Sequence, residues 1–425
     1  MSPTQDEARR DQHDALADQL LAYFRSADSE ERKEIGRRIE KVANGCFDAI
    51  ALKLPTLTLW PRLAEREGRL VLSLNKSGKH ECAFRLPEAY DPARSWPLIV
   101  WFGDRGASVE EAIRSLAEFI VVVPDRPLNG RFFEPDRESS DLRSFVRELR
   151  RLFHVDADRV YLFGHAAGGE RAWLSAMLYP DLFAGVFVSD AYPRLPYPGA
   201  AYPIFLRNLS NVPVVSVWHP PTEQAVATEQ ILFRAQQERI AEWSGRINLP
   251  IRTVIVDPSA SDGQAVRTPL IHSLLALRRK STPTNIDHWF RYPEHGRAYW
   301  IECTQWSGEA FEAEEFSILP SAKIDRNEFI AETIKGWLGY LGATVEGQTI
   351  RVETKGCAAI RLSIPIGLVD LQKPVTVNCN GLTRWEGRIE PKTEALLQNA
   401  YESWDFSHPV AAEVTFSIRR DGTPP

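Results

Sequence analysis

Short, uninterrupted apolar runs recur through the first two thirds of the chain: Leu98 to Phe102, Phe119 to Val123, Val160 to Phe163, Val186 to Val188, Val214 to Trp218 and Thr253 to Val256. A strand with one wet face alternates apolar and polar residues, so runs like these belong to strands covered on both faces. Between them lie stretches with apolar residues at helical spacing, the clearest being Leu142, Phe145, Val146, Leu149, Leu152 and Phe153. Strand and helix in alternation specify an α/β fold, a mostly parallel sheet with helices on both faces.

The flanks read differently. Residues 5 to 25 and 29 to 50 are expected to form two helices, packed on the core or on a second copy, with Asp28 and Glu31 at capping-box spacing. Arg69 to Asn75 and His80 to Arg85 form a hairpin across Lys76, Ser77 and Gly78. After Ser281-Thr282-Pro283-Thr284 the alternation stops. Strand-like stretches take over at Trp289 to Tyr292, Tyr299 to Thr304, Thr349 to Glu353, Ala359 to Ser363, Val375 to Asn378 and Ala412 to Ile418, and Asn380-Gly381 is a type I′ hairpin signal. The expected division is a multidomain one: an N-terminal helical region 1–68, the α/β domain 69–282, and a C-terminal β-rich, sandwich-like domain 283–425.

Charge narrows the partners. With 51 basic against 57 acidic residues and a net charge of −6, the chain has no Lys/Arg block that could track a phosphate backbone, so no nucleic acid is expected. The first twenty residues, MSPTQDEARRDQHDALADQL, lack the apolar stretch of a signal peptide, and no segment has the length and apolarity of a membrane span. The five cysteines, Cys46, Cys82, Cys303, Cys357 and Cys379, are far apart and show no Cys-x-x-Cys spacing, which argues against a disulfide framework and a zinc site. A cytoplasmic location with no membrane partner is expected.

The chemistry-bearing segment runs from Asp158 to Trp173, DRVYLFGHAAGGERAW. A buried strand enters a small-residue turn and leaves as a helix, the setting of a nucleophile elbow, in which Gly164 and Gly168 permit the sharp turn and the middle residue is lifted over the sheet. Here the middle residue is Ala166. A methyl group can neither attack a carbonyl nor give up a proton.

The elbow residues Gly164, His165, Gly168 and Gly169, followed by Tyr179-Pro180-Asp181-Leu182-Phe183-Ala184, resemble the α/β-hydrolase superfamily. Within it they are most similar to the polyhydroxybutyrate-depolymerase-like and prolyl-oligopeptidase-like esterases, which carry Gly-His-Ser-x-Gly-Gly and then Pro-Asp-x-Phe-Ala. The resemblance implies an α/β-hydrolase core over 69–282, ester or peptide substrates in active relatives, and an oxyanion hole built by backbone amides at Gly103 and Ala167. It also places Glu223, in His219-Pro-Pro-Thr-Glu223, in register with the triad acid, although the start of a helix alone favours a Glu there and is the preferred reading. Where the family tends to write its triad histidine, residues 257–265 contain none. His272 falls in a helical run, and His165 reads as part of the turn.

The sequence thus predicts no catalytic residues: a vacated nucleophile position at Ala166, a residual acid at Glu223, no metal and no cofactor. The favoured reading is a catalytically inactive homologue, a pseudo-esterase that binds a small molecule or a protein ligand in the former active-site pocket. Two alternatives stay open: a hydrolase of ester or peptide bonds with an unrecognised nucleophile, and a scaffold whose working surfaces are the N-terminal helices and the C-terminal domain. The oligomeric state is not legible.

Overall fold

The computed structural model describes residues 3–74, 78–103, 116–125, 142–193, 202–220, 227–256, 263–307, 333 and 335–418. It opens with α1 (Pro3–Arg25), α2 (Ser29–Val42) and α3 (Phe47–Lys53). Asp28 caps α2, accepting from the Glu31 N–H at 2.8 Å, while the Glu31 carboxylate accepts from Ser26 instead of returning to the Asp28 backbone. The single helix expected over 29–50 is broken. Asn44 and Gly45 both take positive φ, which ends α2 and lets the chain restart as α3.

The apolar runs form β3 (Trp96–Phe102), β4 (Ile120–Pro124), β5 (Val155–His165), β6 (Gly185–Ser189), β7 (Val214–Trp218) and β8 (Ile251–Ile255), and the hairpin supplies β1 (Glu67–Leu74) and β2 (Gly78–Arg85). They make one sheet of order β1-β2-β4-β3-β5-β6-β7-β8. Strand β2 joins β4 antiparallel, and from β4 to β8 all pairings are parallel. Alternate residues of β3 supply both faces, which is why its sequence shows no polar gaps. Leu98, Val100 and Phe102 pack with α4 (Leu142–Leu152) and α5 (Ala167–Leu178). Ile99 and Trp101 turn to the opposite side, and the described chain continues through α6 (Tyr202–Leu206) and α7 (Ala227–Arg246) to α8 (Gly263–Leu275), whose Leu270 and Leu274 cover that side.

The remainder folds as two sheets around one apolar cluster. The five-stranded sheet contains β9 (Asn285–Phe290), β12 (Gly339–Glu346), β13 (Thr349–Lys355), β15 (Val375–Cys379) and β16 (Leu382–Gly387). The four-stranded sheet contains β10 (Arg297–Ala298), β11 (Ile301–Trp306), β14 (Cys357–Pro365) and β17 (Val410–Ser417). Asn380 and Gly381 turn between β15 and β16 with φ of 50° and 80°, as a type I′ turn requires. Strand β12, with glycines at 339 and 342, carries no clear strand pattern in the sequence. A last helix, α9 (Thr393–Ser403), packs Leu396, Leu397 and Ala400 against Leu20, Phe24 and Ile39 of α1 and α2. We propose the divisions 1–68, 69–282 and 283–425 as the domain organisation, with the first segment docked on the third.

Ion pairs fasten the α/β domain to the C-terminal one. Arg279 donates to Asp405 at 2.6 Å and to Asp158 at 3.2 Å, and its other terminal nitrogen donates to the Asp181 carbonyl at 2.8 Å. His408 Nε2 lies 2.8 Å from both oxygens of Asp158. Burial opposes the ionisation of Asp405, but Arg279 and Arg150 outweigh it and bring its pKa down to about 2. The folded chain therefore binds this proton more weakly than the unfolded chain. The stability it contributes is complete above the ordinary Asp pKa, about 4, and is lost as pH falls toward 2. We expect a loss on the order of 2 kcal/mol across that window from Asp405 alone. Asp405→Asn should abolish this share and cost about 3 kcal/mol at pH 7, because Arg279 loses a buried partner. Urea unfolding of both forms at pH 7 and pH 2 measures the two effects.

Candidate active site

Strand β5 ends at His165 and α5 begins at Ala167, so Ala166 alone carries the reversal, at φ 48° and ψ −122°. Few residues other than glycine occupy this region. The close crossing of strand and helix imposes it. A Cβ on Gly168 would stand 1.9 Å from the Phe102 carbonyl oxygen, and one on Gly164 would stand 2.4 Å from the Gly168 oxygen. Gly169 is equally confined, since a Cβ there would meet that of Ala191 at 2.3 Å. The Ala166 N–H donates to the Ser189 carbonyl at 2.9 Å, and its own carbonyl accepts from Glu170 at 3.0 Å, which starts the helix. Ala166 and Ala167 are exposed.

Two backbone segments meet beside this turn. Gly103 follows β3, and its nitrogen lies 3.0 Å from where a Gly168 Cβ would be. Ala167 occupies the first position of α5, whose N–H has no acceptor within the helix. Amides in this placement can receive a developing oxyanion.

The side chains that gather at the same edge are Asp190 and His219, and neither belongs to the sequence-derived site. His165 pairs in register with Ser189, and Ser189 with Val217, so the ends of β5, β6 and β7 are level. The next residues along these strands, Ala166, Asp190, and His219 just past Trp218, share one rim at the carboxyl ends of parallel strands, where α/β sheets place their ligands. Asp190 is held at φ 51° by its N–H donating to Val217 at 2.9 Å. Its carboxylate accepts from the His219 backbone N–H at 2.7 Å and from the Ser189 hydroxyl at 2.8 Å. His219 Nδ1 lies 2.7 and 2.9 Å from the two carboxylate oxygens, and His165 Nδ1 stands at 3.5 Å from one of them. A carboxylate oxygen accepts, so this contact is best made by the tautomer that carries its proton on Nδ1. An imidazole in that tautomer, oriented by a carboxylate, is equipped to act as a general base.

Among the residues singled out in the sequence, the structure brings Gly103, Gly164, Ala166, Ala167, Gly168 and Gly169 together and sets His165 beside Asp190. Glu223 lies outside the described residues, as do 104–115, 126–141, 194–201 and 257–262, several of which follow strands at this rim. His272 belongs to α8, and the described residues give it no place in the Asp190 group. The sequence shows an elbow without hydroxyl or imidazole; the structure sets the His219 imidazole, just past β7, on Asp190 at the same rim. His219 reads in the sequence only as the start of the His-Pro-Pro-Thr-Glu stretch. The available signal was positional: Asp190 and His219 both fall one or two residues beyond a buried apolar run. Among the described residues no group of three or more His, Cys, Asp or Glu could hold a metal ion, and no helix is long and apolar enough to cross a membrane.

A mostly parallel sheet of this order with a strained strand-to-helix elbow after β5 defines the α/β-hydrolase fold. No family model matches the chain. It is 35% identical over 85 residues to a protein of Nocardia uniformis subsp. tsuyamanensis named as an esterase, NocK, which covers 20% of this chain and 23% of that protein. It is 26% identical over 204 residues to a Bacillus subtilis (strain 168) protein named as a 2-succinyl-6-hydroxy-2,4-cyclohexadiene-1-carboxylate synthase, covering 47% of this chain and 67% of that one. The chain thus spans about a quarter of the first relative's length and two thirds of the second's. Among solved structures it is similar to a thermostable esterase (TM-score 0.37, 16% identity, 50% of this chain and 64% of that one). A ferulic acid esterase gives a TM-score of 0.38 at 15% identity, covering 49% of this chain and 96% of that one. The chain has an α/β-hydrolase-type fold, and the proteins it is similar to include ones named as esterases.

The elbow geometry makes a direct prediction. A non-glycine residue in this backbone region costs about 1–3 kcal/mol, partly offset by the lower chain entropy of alanine when unfolded. Ala166→Gly should therefore stabilise the protein by about 1 kcal/mol in chemical denaturation, and a loss of stability would show that the elbow is unstrained.

Proposed function

We propose that this protein is a pseudo-esterase, an α/β-hydrolase homologue that binds a ligand at the rim above Ala166 without cleaving it. The methyl group at the elbow carries this reading. Every other part of an acyl-transfer site has a counterpart: amides at Gly103 and Ala167, a carboxylate at Asp190, an imidazole at His219. The atom that would attack has none. The esterase-type likeness makes an ester or another acyl compound the ligand class, with a protein ligand on the same rim as the alternative occupant, and no cofactor is needed for either. A scaffolding role for the flanking segments is compatible with the same site.

A second reading is favoured by one observation, that Ser189 Oγ lies 2.8 Å from Asp190 and 3.4 Å from His165 Nδ1. This would make Ser189 the nucleophile of a working hydrolase. Against it, Ser189 is buried and its hydroxyl donates to the Asp190 carboxylate at 2.8 Å, which directs its proton away from His165.

Ester turnover separates the two. The natural protein should not hydrolyse p-nitrophenyl acetate or butyrate above the buffer rate. The sequence alone suggests that Ala166→Ser would need a histidine added within 257–265, but His219 changes that expectation. Ala166→Ser should gain turnover roughly 100-fold or more above the background, and Ala166→Ser/His219→Ala should lose it, since general-base catalysis contributes about 10²–10⁴-fold. Turnover by the natural protein that disappears in Ser189→Ala would establish the second reading instead.

A further inference from the structure

A cavity of about 80 Å³ lies where α4, β10 and the segment after α9 meet, away from the Ala166 rim. Its charged wall consists of Arg143, Arg150, Arg279, Arg297, Asp181 and Asp405. Four guanidiniums thus face two carboxylates. Counting Asp158, which reaches Arg279 from behind, still leaves one cation in excess.

The pairing identifies which cations lack a partner. Arg143 and Asp181 form a two-pronged bond at 2.7 and 2.9 Å, and Arg279 is shared by Asp405 and Asp158. Arg150 is 3% exposed and makes no ion pair: Asp405 acts on it only at longer range, its hydrogen bonds go to the neutral carbonyls of Ser403 at 3.3 Å and Ala157 at 3.5 Å, and its Nε has no hydrogen-bond partner. Arg297 has no carboxylate within ion-pair distance among the described residues. The nearby Glu302 is held by Arg361 at 2.6 Å, and Glu402 by Gln398 at 3.0 Å. Burial pushes the Arg150 pKa down to about 10, and burial together with Arg143 lowers that of Arg297. Arginine does not discharge at neutral pH, so an unpaired buried guanidinium is costly unless an anion enters beside it.

We infer that this cavity is an anion site that takes one compact oxyanion of the phosphate type, held by Arg150 and Arg297. The volume is several times the roughly 10–15 Å³ of probe space that one water needs, so one tetrahedral group fits. Guanidinium forks match the oxygens of such a group. Because the wall is drawn from both the α/β and the C-terminal domains, the ion would tie them together and stabilise the folded chain by mass action.

The full-length protein is tested by thermal unfolding in inorganic phosphate, with sodium chloride at matched ionic strength as the control, and by ³¹P line broadening of the added phosphate. The expected result is a saturable rise in Tm of a few degrees specific to phosphate. Arg297→Gln should abolish that rise and, without phosphate, melt no lower than the natural protein, because it removes one uncompensated cation. Methyl phosphate in place of phosphate distinguishes sources: equal stabilisation assigns the site to the phosphoryl group of an organic ligand, and no stabilisation assigns it to the free ion. If Arg297→Gln does not fold, line broadening that saturates with the natural protein and is weakened in Arg150→Lys still supports the site. No phosphate-specific rise and no broadening in the natural protein, or an undiminished rise in Arg297→Gln, would overturn it.

Discussion

The crossing of β5 and α5 over the end of β3 leaves no room for a side chain at Gly164 or Gly168. That contact forces Ala166 into its positive-φ turn, aligns the first amide of α5 with Gly103, and brings the Ala166 N–H onto the Ser189 carbonyl. The last of these bonds ties the elbow to β6, and one residue further on Asp190 is turned outward to meet His219. The same backbone geometry would lift a serine hydroxyl over the sheet. It has been kept here around a methyl group, at a cost in strain that a glycine would avoid.

Much of this was legible in the sequence, and the reason is local. Uninterrupted apolar runs report two-sided burial, and a small-residue turn between a strand and a helix reports an elbow; both signals lie within a few residues of each other along the chain. The break between α2 and α3 was also local, in Asn44-Gly45, but was masked by the helical periodicity on either side. What the sequence did not disclose is the Asp190–His219 pair, because it depends on strand register. The two residues are 29 apart in the chain and become neighbours only when β6 and β7 align at their carboxyl ends. The family pattern puts its histidine after the last strand, whereas His219 follows β7.

The junction with the C-terminal segment follows a different physical rule. Its main anchor is a buried charge whose value lies in being complete: Arg279 meets both Asp405 and Asp158. Removing one member of such a set costs more than forming it contributes, because the partner stays behind without compensation. The Asp181 that belongs to the family-like Pro-Asp-x-Phe-Ala stretch is engaged here by Arg143, which gives that motif a structural role in positioning the loop after α5. The N-terminal helices add an apolar counterpart, since Phe24 packs on Trp404 and Phe406 next to the same charges.

The central claim is that the site keeps an oriented carboxylate–imidazole pair and oxyanion amides but has no attacking atom. A fluorophosphonate reacts only with a serine activated in such a setting, and intact-protein mass spectrometry counts the adducts directly. The account predicts no mass increase when the natural protein is incubated with excess reagent. Stoichiometric addition of one phosphonyl group, mapped to Ser189 or to any other serine, would contradict it.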